Sequence, residues 1–74
     1  MNGEKHIEEL KRFGQHLKKL REEQFITQEM LANDSDISIS QISRIERGII
    51  STSLSQLISI SKSLNISLSD LMDF

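Results

Sequence analysis

Between Ser38 and Gly48 the chain reads SISQISRIERG, and these residue types can bind the edge of a base pair. An arginine guanidinium is a planar fork that matches guanine O6 and N7, or two phosphate oxygens. A glutamine amide matches adenine, and an aliphatic side chain can meet a thymine methyl. Laid on a helix with Ser40 at zero, Ile42 and Ile45 point to roughly 200° and 140° and mark a buried side. Ser40, Ser43, Arg44 and Arg47 occupy the opposite side, with Ile39 and Gln41 flanking it. Ile39, Ser40, Gln41, Ser43 and Arg44 are therefore the candidate base readers. For each of them the competing assignment is an ordinary solvated surface, and for Gln41 it is also a helix cap.

Other chemistry is poorly supplied. His6 and His16 stand ten residues apart, not at the i, i+4 spacing of a metal pair, and no third ligand lies near. Asp34-Ser35-Asp36 resembles the start of a calcium loop, but the required glycine is missing and Ile45 stands where the bidentate carboxylate belongs. The sequence has no nucleophile–base set and no glycine-rich phosphate loop. No enzyme activity, cofactor or metal is expected.

Seventy-four residues suffice for one domain with a small core. With no cysteine, neither a disulfide nor a thiolate metal site can staple it. No apolar run approaches a membrane span and no signal peptide is visible, so a cytoplasmic protein is expected. The absence of Trp and Tyr argues against base stacking on single strands. Net charge is −2, which is acidic for a nucleic-acid binder. Its distribution is uneven: six basic and eight acidic side chains fall in residues 1–37, whereas residues 38–64 carry Arg44, Arg47 and Lys62 against Glu46.

The elements that would position the Ser38–Gly48 segment are all helical. Ile7, Leu10, Phe13, Leu17 and Leu20 form one apolar stripe, predicting a helix from His6 to Gln24. Thr27 caps a short helix ending at Asn33 or Asp34, and turn formers follow to Asp36, which can take a positive φ. Ser38 with Gln41, Ser53 with Gln56 and Ser67 with Asp70 have the spacing of capping boxes. Gly48 and Asn65 are left-handed terminators. The reading is five helices and no strand, with residues 1–6 as a flexible arm. Leu31, Ala32, Ile37, Ile42 and Ile45 are the expected contacts between the second and third helices.

Residues 26–48, ITQEMLANDSDISISQISRIERG, resemble the Cro/cI-type (XRE) helix-turn-helix family, whose members are lambda-repressor-like. Thr27-Gln28, Leu31-Ala32, Ile42-Ser43, Ile45-Glu46 and Gly48 fall in register with its pattern. Phe13 to Arg21 and residues 53–72 match its first and last helices. Phe25, Ser35, Asp36 and Asn65 depart from its usual residues. The resemblance implies a compact all-α fold of 1–74 with the motif at about 27–47, acting as a bacterial or phage transcriptional regulator on double-stranded DNA. The start of the second helix, at Thr27 and Gln28, offers free amides and a positive dipole end to one phosphate, and the resemblance makes Gln28 a phosphate ligand. Arg47 and the amides near Ile49 to Ser51 could hold a second phosphate, with Ser51 itself among the contacts. It also implies an ion pair of Arg21 with Glu46, with Arg21 in reach of phosphate. Family dimers form through the C-terminal helices, making Leu68, Met72, Phe74 and Ile58 interface candidates in a homodimer on a pseudo-palindromic operator; the competing assignment is that some of them complete the core. A repressor, a restriction-modification controller and an antitoxin all fit. The rival assignment keeps the fold but binds a protein such as a toxin, with weak DNA binding.

Overall fold

A computed structural model describes residues 5–74; most of the expected arm, residues 1–4, lies outside the described residues. The described residues form five helices, α1 (Ile7–Glu23), α2 (Gln28–Ser35), α3 (Ile39–Arg47), α4 (Leu54–Ser63) and α5 (Leu68–Leu71). They build a body of 36 × 23 × 21 Å. No helix among them is long and apolar enough to cross a membrane.

Hydroxyl caps set where four of the helices begin. Thr27, Ser38, Ser53 and Ser67 each adopt extended backbone and accept a hydrogen bond from the amide three residues on, at 2.9–3.1 Å. Each satisfies one of the donors that a helix start leaves without a partner, worth about 1 kcal/mol. His6 precedes α1 in the left-handed region with no side-chain cap.

The helix ends are equally uniform. Phe25, Asp36, Gly48 and Asn65 all take φ between 56° and 75°. An isoleucine follows each of them: Ile26, Ile37, Ile49 and Ile66. Their amides donate back to Arg21, Ala32, Arg44 and Ser61 at 3.0–3.1 Å. This is the six-to-one bond of the Schellman motif, which closes a helix while turning the chain inward. Ile37 is buried outright, and Ile26 and Ile66 pack on the core, so three of the four isoleucines pin the turn they terminate. Asp36 thus makes the tight α2–α3 reversal.

The core is filled by Leu17, Leu31, Ile42, Ile45, Ile60, Leu64 and Leu71, all virtually inaccessible to solvent. Each such side chain contributes about 1.5–3 kcal/mol by burial, which must offset the ordering of a short chain. Helix α2 runs one residue past the expected end, through Ser35. Ser35 is buried, and its hydroxyl donates to the Leu31 carbonyl at 2.7 Å. That local bond satisfies the hydroxyl in a position facing the core.

Phe25 is the one misfit. Its left-handed backbone is costly for a bulky residue, and its side chain is 90% exposed, so packing returns nothing. Phe25→Gly should therefore stabilise the domain by about 1 kcal/mol, raising Tm by roughly 4–8 °C in thermal unfolding. A lower Tm would show that the exposed ring makes a contribution the geometry does not account for.

Candidate nucleic-acid interface

Helix α3 is held against α1 by backbone contact as well as by side chains. A methyl group added at Gly14 would lie 2.4 Å from the Glu46 carbonyl oxygen and 2.5 Å from that of Ile45. Only glycine permits so close a crossing. With α1 pressed against its C-terminal turn and Ile42 and Ile45 sunk in the core, α3 has one side left to solvent.

That side carries the candidate readers. Ser40, Arg44 and Arg47 are exposed, Ser43 and Gln41 are half-exposed, and Ile39 keeps 49% of its surface open. The Ser38 hydroxyl accepts from the Gln41 amide at 3.1 Å. Gln41 Oε1 takes only a long 3.5 Å bond from that hydroxyl, so its side-chain amide group keeps its donors for a ligand. Arg47 Nε donates to the Ser43 carbonyl at 3.4 Å, which aligns the guanidinium along the helix.

Beneath this face lies a buried polar cluster. Arg21 Nε donates to Glu46 Oε2 at 2.7 Å and Arg21 Nη2 to Glu46 Oε1 at 2.9 Å, a two-pronged ion pair. Arg21 Nη1 donates to the Ile26 carbonyl at 2.8 Å, and Gln28 Nε2 donates to Glu46 Oε1 at 3.0 Å. The hydrogen bond to Glu46 raises the Arg21 pKa above its ordinary value, more than burial lowers it. The Glu46 carboxylate therefore ties α1 and α2 to α3, and Arg21 adds the α1–α2 loop. Arg21 is buried, with three of its five N–H donors engaged in this cluster. The role of Gln28 in this cluster was not read from the sequence. Its 18-residue separation from Glu46 leaves no local signal.

The other candidates are placed as follows. Thr27 and Ser51 are exposed, and Gln28 is half-buried with one amide hydrogen committed to Glu46. The amides of Gly48 and Ile49 donate to Ile45 and Arg44 to close α3, so they are spent as phosphate donors. Leu68 is partly buried and packs on the core, so it is less open than the sequence suggested. Met72, Phe74 and Ile58 remain exposed by about 40%. Phe74 meets the Phe13 ring edge-on at 5.6 Å, with the Arg12 guanidinium 5.8 Å from its centroid. The His16 Nε2 atom lies 3.0 Å from the Asp70 carbonyl oxygen, fastening α5 to α1.

Removing one partner of a buried pair strands the other charge. Arg21→Met should cost about 3–5 kcal/mol in denaturant unfolding, while combining Arg21→Met with Glu46→Leu should recover much of that loss. A double variant destabilised by the sum of the two single losses would show that the pair carries no coupling.

The profile of the helix-turn-helix family matches residues 17–71. The restriction-modification controller protein C.AhdI from Aeromonas hydrophila superposes with a TM-score of 0.82 at 34% identity, covering 84% of this chain and 94% of that one. Two structures of the clp gene regulator ClgR from Corynebacterium glutamicum give TM-scores of 0.81 and 0.80 at 28% identity, each over 85% of this chain and over 67% and 82% of theirs. A comparison with curated proteins finds no match. With α2 and α3 forming the motif and the match spanning most of the sequence, the chain belongs to the Cro/cI-type (XRE) helix-turn-helix family of DNA-binding transcriptional regulators.

Proposed function

We propose that this regulator binds a pseudo-palindromic operator as a homodimer, with α3 of each subunit in the major groove and half-sites one turn apart, about 34 Å. The observation that carries the reading is the outward side of α3. It holds two arginines and no exposed carboxylate, because its single acid, Glu46, is internal and paired. The outward side of α3 itself therefore carries only positive charge. Arg44 is assigned to guanine, and Ser40, Ser43, Gln41 and Ile39 to neighbouring base edges. Thr27, Gln28, Arg47 and Ser51 hold phosphates and set the register. The likeness to C.AhdI supports a controller-type regulator acting in the cytoplasm.

A second reading, docking of a protein on the same face, is motivated by Ile39 and Ile49 at the two ends of α3, each about half exposed. Selection from random duplex DNA separates the two. Enrichment of paired half-sites supports the operator reading; no enrichment at low salt removes it.

Two variants test the parts. Arg44→Ala should cost about 1–3 kcal/mol at the selected site and relax one base position, whereas a uniform loss over all sequences would make Arg44 a phosphate ligand. The dimer is proposed to form through Met72, Phe74 and Ile58. Truncation cannot test this cleanly, because Leu71 belongs to the core. Met72→Asp should instead give a folded monomer on sizing with weakened operator binding, and an unchanged dimer would move the interface elsewhere.

A further inference from the structure

The chain leaving α3 poses an electrostatic problem for a DNA binder. A helix C-terminus is the negative end of the macrodipole and repels phosphate. The amides of Gly48 and Ile49 are already committed inside the helix cap. Residues 49–53, Ile-Ile-Ser-Thr-Ser, contain no cation. Arg47 is the last positive side chain on α3, and the next cation along the chain is Lys62, in the last turn of α4.

Helix α1 brings another cation to the same place. A methyl group at Gly48 would lie 2.6 Å from Lys11 Cα and 2.7 Å from Lys11 Cγ, so the stem of Lys11 passes directly over the C-terminus of α3. The side chain is exposed, and a four-carbon stem carries its ammonium beyond this contact toward solvent. A lysine so placed also offsets the negative end of the α3 dipole. We propose that Lys11 is a phosphate-binding residue of the DNA interface, completing with Arg47 a two-cation clamp at the end of α3. The assignment rests on the operator reading above. It adds to the interface a residue 33 positions upstream of Arg44 in the chain.

The test compares the intact chain with Lys11→Gln, Lys11→Arg and Lys62→Gln on the selected operator and on an unrelated duplex across a salt series. Each lost phosphate contact lowers the slope of log affinity against log salt by about 0.9 per subunit. Lys11→Gln should show that loss equally on both duplexes, with at most the small drop in Tm that losing one helix-dipole interaction brings. Lys11→Arg should restore the slope, and Lys62→Gln should leave it unchanged. A slope for Lys11→Gln equal to that of the unaltered chain overturns the Lys11 assignment alone. Failure of the unaltered chain to bind either duplex overturns the operator reading and this assignment with it. A loss confined to the operator would also overturn it, because it would make Lys11 a base contact.

Discussion

The domain depends on one buried carboxylate. Glu46 receives three hydrogen bonds, two from Arg21 and one from Gln28, so α1, α2 and α3 meet at a single ionised group. An isolated charge in that position would be prohibitively costly, and the two-pronged arginine makes it tolerable. The cluster does for orientation what the apolar core cannot. Aliphatic packing is non-directional and tolerates small rotations of a nine-residue helix, whereas a fork pairing fixes distance and angle together. It also neutralises the only acid on α3, so that fold and electrostatics are served by the same contact.

Around that point the architecture is built by repetition. A hydroxyl opens four helices, and a left-handed residue followed by isoleucine closes four. These devices need only residues close in the chain, which suits a domain too small to rely on its core alone. Gly14 and Gly48 do the complementary long-range work. They let α1 approach the end of α3 to backbone distance, which brings Lys11 against Gly48 and Arg21 onto Glu46.

This division explains what the sequence revealed. Caps, the terminators Asp36, Gly48 and Asn65, and the inward set Leu31, Ala32, Ile37, Ile42 and Ile45 were legible because each rests on local spacing, and the solvent side of α3 followed from the same period, whereas the left-handed Phe25 was not foreseen. The Arg21–Glu46 pair was implied by family resemblance and not by spacing, since 25 residues separate its members. Gln28 joining the pair, Lys11 lying over Gly48, and Phe74 seated on Phe13 depend on how helices cross, and no periodicity encodes that. Leu68 and Met72 share an apolar character, yet one turns toward the core and the other away. A four-residue helix is too short for its pattern to distinguish them.

Chemical-shift mapping of the amides during titration with a short operator duplex addresses the central claim most directly. The account requires the largest changes along Ser38–Arg47 and at the start of α2 around Thr27 and Gln28, with the outer side of α4 quiet. Changes concentrated on α4 and α5, with α3 unmoved, would contradict it.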